Sequence, residues 1–228
     1  MPQTVLTYAD ILATCKLRVA DTSTAIADST TWYSLINDAC QDIIDECIYY
    51  KAYELLDCLH EKTTITLVAD QEEYGYYALV AADSSKKFGH FVKAMWGDQD
   101  VRVVDFHRYQ DLLQSGAIPV SEMKPFMCFV GAKKFKLRPI PTGNDTDNPF
   151  IFYYIQRFTK MSGTSDVPLV DHRCVPLIYP AAASKYWERR RQFDLADRQE
   201  AKFLRGVAKI IKPFKKYPMY DVISVDSE

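Results

Sequence analysis

The residues of this sequence whose types and spacing could do chemistry are three neighbouring carboxylates, Asp42, Asp45 and Glu46. Clustered carboxylates can exchange protons in general acid–base catalysis or ligate a hard cation such as Ca²⁺. A hard cation gathers oxygen ligands from several segments around one cavity, whereas these three residues share one predicted helical face with no histidine partner. We therefore interpret them as part of a solvated acidic face and expect no metal site.

No other group in the sequence has a catalytic arrangement. There is no G-x-x-x-x-G-K-[ST] or G-x-G-x-x-G phosphate-binding motif and no G-x-S-x-G nucleophile motif. The four histidines are isolated from one another: His60, His90, His107 and His172. We expect a protein that is not an enzyme and that takes no cofactor.

Cysteine usage and hydropathy favour a protein made in a reducing, cytoplasm-like interior. The cysteines form no C-x-x-C pair and no metal-like spacing with histidine, so we expect all six to be reduced core residues. They are Cys15, Cys40, Cys47, Cys58, Cys128 and Cys174. No apolar run approaches the roughly 18–20 residues of a membrane span, and the first ten residues lack a secretory pattern. We expect no membrane partner.

Charge is divided unevenly along a chain whose formal net charge is only -2. Residues 1–61 contain three basic residues and ten acidic ones, whereas residues 185–216 contain eleven basic residues and four acidic ones. Such a division indicates either a charged partner, other copies of the chain, or two halves that neutralise each other within one fold.

Each charged region contains one concentrated set of like charges. Asp38, Asp42 and Asp45 share a helical face opposite an apolar stripe that includes Trp32, and Arg189–Arg191 are consecutive. The arginines could contact nucleic acid, form a solvent-facing helix end, or pair with the acidic face of another copy. We favour the pairing with another copy, because it uses both charged regions.

Hydrophobic periodicity predicts an α+β fold. Helical spacing appears over residues 8–20 and again from Thr31, alternating strand patterns begin at Lys62, and helical spacing returns after residue 165. The last helix is predicted to direct a set of apolar residues towards the core: Leu195, Ala196, Phe203, Leu204, Val207 and Ile211. We predict a discontinuous helical bundle (1–61 and 165–212), an inserted β-rich module resembling a sandwich or barrel (62–164), and an extended C-terminal tail (213–228).

Three segments together resemble the head–tail adaptor, or connector, proteins of tailed bacteriophages. The first is a W-x-x-L-I-N-x-A-x-x-x-I helix from Trp32 to Ile43. The others are SDVPLV (Ser165–Val170) and LIYPAAASKYWERRRQFDLAD (Leu177–Asp197). The resemblance implies a non-enzymatic virion protein of the neck, between capsid and tail, made in the host cytoplasm.

The resemblance also implies partners and surfaces. A ring of about twelve copies would sit under the portal and continue the DNA channel towards the tail, with transient, non-specific contact with the passing genome. The C-terminal tail would bind the portal through Phe214, Lys215, Lys216, Tyr217 and Tyr220. Asp38, Asp42 and Asp45 would line the channel or face the next subunit, and Arg189, Arg190 and Arg191 would form the opposing basic patch.

Two other interpretations stay open at this point. One is a stopper or tail-completion protein elsewhere in the neck. The other is a soluble nucleic-acid-binding module that uses Arg189–Arg191 and Lys215–Lys216, although the sequence pI of about 6.1 is low for such a domain.

Overall fold

The computed structural model describes residues 6–20, 29–76, 88–114, 124–131, 134–143 and 148–215. It confirms an α+β fold with helices towards both termini. The chain forms two compact units, a helical unit of Met1–Leu59 with Phe158–Glu228 and a β unit of His60–Arg157. Sequence patterning placed the corresponding boundaries after residues 61 and 164.

Two helices form the N-terminal part of the helical unit, α1 (Tyr8–Val19) and α2 (Ser29–Tyr49). Helix α1 begins with a capping box formed by Thr7 and Asp10. The Thr7 side chain accepts from the Asp10 backbone N–H, and the Thr7 backbone N–H donates to Asp10 Oδ2 at 2.9 Å. These bonds satisfy backbone groups that the start of a helix leaves without partners. A 3-10 helix, Tyr53–Leu59, follows α2.

The C-terminal part of the helical unit contains α4 (Val175–Arg189) and α5 (Phe193–Ile210). Helix α4 packs against α1, α2 and α5, and its three alanines, Ala181–Ala183, are buried. Small side chains let neighbouring helices approach closely, so this segment forms the centre of the unit. Ser184 Oγ donates to the Ala196 carbonyl at 3.1 Å and joins α4 to α5.

The segment that follows the last strand is fixed to the helical unit. Asn37 on α2 donates to the Met161 carbonyl at 3.0 Å and accepts from the Met161 N–H at 2.8 Å. The backbone N–H groups of Tyr8 and Ala9 donate to the carbonyls of Asp166 and Thr164 at 2.7 and 3.2 Å. These bonds explain why residues 158–164 join the helical unit, although sequence patterning assigned them to the β module.

The β unit contains one seven-stranded sheet in the order β1-β7-β3-β4-β5-β6-β2. Neighbouring strands are antiparallel except β4 and β5. The strands are β1 (His60–Ile65), β2 (Glu73–Gly75), β3 (Phe88–Trp96), β4 (Gln99–Val103), β5 (Phe126–Val130), β6 (Lys134–Arg138) and β7 (Phe150–Gln156). Three strands separate β6 from β7, yet Phe135 and Phe150 stack with ring centroids 5.4 Å apart. The sheet is therefore curled around its aromatic core, as the barrel-like pattern predicted.

One helix, α3 (Phe106–Gln114), covers part of the other face of the sheet. Its start is capped by Asp105, whose Oδ1 accepts from the Arg108 N–H at 2.8 Å. Tyr109 is fully buried with Val104, Phe126 and Cys128, and its hydroxyl donates to Glu72 Oε1 at 2.7 Å. The β unit therefore has two apolar clusters, one on each side of the sheet.

Hydrogen bonds to Asp166, in the loop before α4, should make the stability of the protein depend on pH. Asp166 accepts from the N–H groups of Ser162 and Gly163 at 2.7 and 2.8 Å, and these bonds hold the pKa of Asp166 below its usual range. A carboxyl whose pKa is lower in the folded state stabilises the fold above its unfolded pKa and loses that effect as pH falls below about 4. Asp166→Ala should therefore lower the unfolding temperature at pH 7 more than at pH 3, as measured by circular dichroism melting.

The matched control for this prediction is Asp197→Ala, which removes an exposed carboxylate from α5. The control should change the unfolding temperature little at either pH. An Asp166→Ala variant that is equally destabilised at pH 7 and pH 3 would show that the two hydrogen bonds do not depend on the carboxylate charge.

Candidate assembly surfaces

The acidic face of α2, formed by Asp38, Asp42 and Asp45, is partly neutralised within the chain. Lys185 on α4 forms an ion pair with Asp42 Oδ2 at 2.8 Å. Asp38 Oδ2 accepts from Ser34 Oγ at 3.3 Å, and Asp45 Oδ1 accepts from Gln41 Nε2 at 2.8 Å. Among the described residues neither Asp38 nor Asp45 forms an ion pair, so two of the three carboxylates keep uncompensated charge.

The basic patch, Arg189–Arg191, lies at the C-terminal end of α4, and all three side chains are exposed. Arg189 Nη2 donates to Ser34 Oγ at 3.3 Å, which joins this patch to α2 of the same subunit. The Arg190 guanidinium lies over the Tyr186 ring at 5.2 Å. The acidic helix α2 and the basic end of α4 are therefore in contact within one subunit. Lys185 and Arg189 make these contacts.

The pKa of Glu46, which lies next to Asp45 on α2, is shifted by burial and by neighbouring charges. Burial raises the pKa of Glu46 above its usual range, the neighbouring Asp42 charge raises it further, and Lys212 opposes both. The Lys212 ammonium also lies 5.5 Å from the centroid of the Tyr50 ring. The C-terminal end of the described chain therefore supplies positive charge to this end of α2.

A second basic surface, which the sequence analysis did not single out, runs along α5. Arg198, Lys202, Arg205 and Lys209 are separated by four, three and four residues, which aligns them on one side of the helix. All four are exposed, and none forms an ion pair within the described part of the chain. We call these four residues the α5 basic stripe. Their spacing is visible in the sequence and was the signal that could have identified them.

Two large apolar side chains of α5 are exposed on a different side of the helix from the α5 basic stripe. Phe193 is 61% exposed and Leu204 is 52% exposed. The prediction that Leu204 points to the core is wrong, because α5 packs only on the side that carries Ala196, Phe203 and Val207.

The described beginning of the predicted C-terminal tail is not extended. Lys212–Phe214 form a 3-10 helix, and the Arg173 guanidinium lies 4.8 Å from the centroid of the half-buried Phe214 ring. Phe214 is therefore engaged with its own subunit, whereas Lys215 is exposed. The other tail residues named above, Lys216, Tyr217 and Tyr220, lie outside the described residues.

Two of the buried thiols are held in their protonated form. Burial raises the pKa of Cys15 and of Cys40 to about 12, so both stay protonated at neutral pH and are poor nucleophiles and ligands. The expectation that all six cysteines are core residues is wrong for Cys58, which is exposed on the 3-10 helix Tyr53–Leu59. No group of three metal-ligating side chains occurs in the ranges that the structure describes.

None of the helices in the described part of the chain combines the length and the apolar character that a bilayer span requires.

The helical unit thus carries charged side chains on α2, α4 and α5, and the β unit is inserted in the chain between α2 and α4. The model of the SU10 adaptor protein family matches residues 6–218, which is nearly the whole chain. The chain therefore belongs to the SU10 adaptor protein family, a group of structural bacteriophage adaptors. The resemblance to head–tail adaptors is confirmed, and the protein is a virion component that interacts with other virion proteins. No curated protein matches the chain.

Proposed function

We propose that this protein is the head–tail adaptor that forms a ring of about twelve copies beneath the portal and continues the DNA channel towards the tail. The observation that carries the proposal is the family match over residues 6–218. Its physical support is that each subunit presents acidic groups on α2, of which Asp38 and Asp45 form no ion pair within the described residues, and exposed basic groups near the end of α4 and on α5. Different surfaces of opposite charge favour head-to-tail contacts, and head-to-tail contacts that close form rings.

The C-terminal residues provide the proposed portal contact. Tyr217 and Tyr220 supply aromatic groups and Lys215 and Lys216 supply charge, a composition that is enriched at protein interfaces. Phe214 has a different role in this proposal. Since its ring is held by Arg173, Phe214 fixes the point at which the tail leaves the body of the subunit.

Replacing both tail tyrosines by alanine should separate portal docking from folding. The Tyr217→Ala/Tyr220→Ala variant should keep the wild-type circular dichroism spectrum and unfolding temperature, but lose most of its attachment to the portal. Removing two interface aromatics typically weakens binding by about 100-fold or more. Co-assembly of the adaptor with purified portal, followed by electron microscopy of the complexes, measures the effect.

The matched control is Phe106→Ala, which removes an aromatic side chain that is 45% exposed on α3 of the β unit. The control should attach to the portal as the wild type does. If the wild-type chain forms no ring on the portal, the proposed function fails. If the tyrosine variant docks normally, only the role of the tail fails.

A further inference from the structure

Two thiols of the helical unit lie against each other at the junction of α2 and α4. Cys47 is in the last turn of α2, and Cys174 directly precedes the first residue of α4. The two side chains are hydrogen-bonded to each other, and both residues are completely buried. The whole β unit, His60–Arg157, separates them in the sequence, so only the tertiary structure brings them together.

The packing of α2 against α4 does not depend on these thiols. The Trp32 indole stacks on the Tyr186 ring with centroids 5.2 Å apart, and the Lys185 ammonium pairs with Asp42 at 2.8 Å. The two sulfur atoms are therefore kept next to each other, as free thiols, by contacts elsewhere on the same two helices. A disulfide requires two sulfur atoms that are already close on a fixed backbone, and this arrangement meets that requirement.

The surroundings of Cys174 favour its thiolate. The hydrogen bond from Cys47 lowers the pKa of Cys174, and the Arg173 guanidinium acts in the same direction, against burial and the Asp171 charge. The start of α4 also places Cys174 at the positive end of a helix dipole. The same hydrogen bond, together with burial, raises the pKa of Cys47. Cys174 is therefore the nucleophile of the pair, and Cys47 is the thiol that resolves its oxidised form.

Cys15 on α1 and Cys40 on α2 provide an internal comparison. They are close enough for the charge of Cys15 to act on Cys40, and both are buried. Burial raises the pKa of each to about 12, so neither of them supplies a thiolate at neutral pH. Proximity of two buried thiols is thus present at both places, whereas an activated nucleophile is present only at Cys174.

We propose that Cys47 and Cys174 form an oxidation site, at which a peroxide converts the two thiols to a disulfide that joins α2 to α4. The Cys174 thiolate attacks one oxygen of hydrogen peroxide, the O–O bond breaks, and a sulfenic acid and hydroxide result. The Cys47 sulfur then attacks the sulfenic sulfur, which forms the S–S bond and releases the second oxygen. With the two thiol protons, the products are one disulfide and two water molecules.

Such a bond suits a protein that leaves the cell. A virion component passes from an interior that keeps thiols reduced to surroundings that do not. The bond closes a loop that contains the whole β unit, and a loop of this length strongly restricts the unfolded chain. We therefore expect the oxidised subunit to unfold at a temperature about 5–15 °C higher than the reduced one.

Peroxide treatment of a Cys58→Ser variant tests the site. The substitution removes the exposed thiol, which would otherwise join separate subunits. After hydrogen peroxide treatment and denaturation, two of the remaining thiols should be lost, and dithiothreitol should restore both. Peptide mass spectrometry should show Cys47 linked to Cys174, with Cys15 and Cys40 still reduced. Calorimetry should show the rise in unfolding temperature.

Cys47→Ala and Cys15→Ala in the same background are matched variants, since each removes one buried thiol. Cys47→Ala should abolish both the disulfide and the rise in unfolding temperature, whereas Cys15→Ala should keep both. If Cys47→Ala does not fold, the peptide map of the Cys58→Ser chain still decides. Thiols of Cys47 and Cys174 that persist at peroxide concentrations sufficient to oxidise wild-type Cys58 would overturn the proposal. So would a disulfide between other cysteines, or a loss that dithiothreitol does not reverse.

Every one of these measurements uses the isolated subunit, so the result does not depend on the proposed ring. A disulfide that forms as described but leaves the unfolding temperature unchanged would confirm the oxidation site and reject its stabilising role.

Discussion

Replacing Trp32 by alanine is expected to lower the free energy of unfolding by about 4 kcal/mol. Trp32 is 1% exposed on α2, and its indole stacks on the ring of Tyr186 in α4 with centroids 5.2 Å apart and an interplanar angle of 15°. The substitution removes the apolar contacts of the largest buried side chain and leaves a cavity between two helices. Urea unfolding followed by far-ultraviolet circular dichroism measures the loss.

Tyr49→Ala provides the control on the same helix. Its side chain is 76% exposed, so its removal from the isolated subunit should change the free energy of unfolding by less than about 0.5 kcal/mol. A loss below about 2 kcal/mol for Trp32→Ala would contradict the tight packing of α2 on α4.

Replacing Asn37 by alanine is the second large effect, with an expected loss of about 3 kcal/mol. Asn37 is 4% exposed and bonds both the N–H and the carbonyl of Met161, at 2.8 and 3.0 Å. Without the amide, both backbone groups stay buried without a partner, and each such group costs about 1–3 kcal/mol. The same urea titration measures this loss.

Gln41→Ala distinguishes the buried amide from an exposed one. Gln41 lies one turn further along α2, and its amide donates only to the exposed carboxylate of Asp45. Its removal should change stability by less than about 0.5 kcal/mol. Equal losses for Asn37→Ala and Gln41→Ala would mean that water replaces the Asn37 bonds to Met161.

The Asn37 contact gives a physical meaning to the motif that carried the family resemblance. In W-x-x-L-I-N-x-A-x-x-x-I, Trp32 and Asn37 both make buried contacts that join α2 to later parts of the chain. Trp32 joins it to α4, and Asn37 joins it to the segment that returns from the β unit. The motif therefore joins the N-terminal part of the helical unit to its C-terminal part.

The sequence alone determined the features that depend on near neighbours. The capping box of Thr7 and Asp10, the Asp105 cap of α3, the buried stripe of α2 and the α+β order follow from interactions within a few residues. These interactions have the same geometry in any chain that forms the element, so residue spacing suffices to predict them. The same reasoning located the two charged regions.

Only the tertiary structure decided which charges and apolar groups remain for a partner. Asp42 is not available to a partner, because it forms an ion pair with Lys185, which lies 143 positions further along the chain. The apolar residues of α5 occupy a wider part of the helix surface than the side that packs on its neighbours, and Leu204 is therefore exposed. A proline inside a helix usually bends or ends it, yet α4 extends from Val175 to Arg189 with Pro180 buried inside it. In each case the outcome depends on distances between elements that are remote in sequence, and local spacing contains no information about those distances.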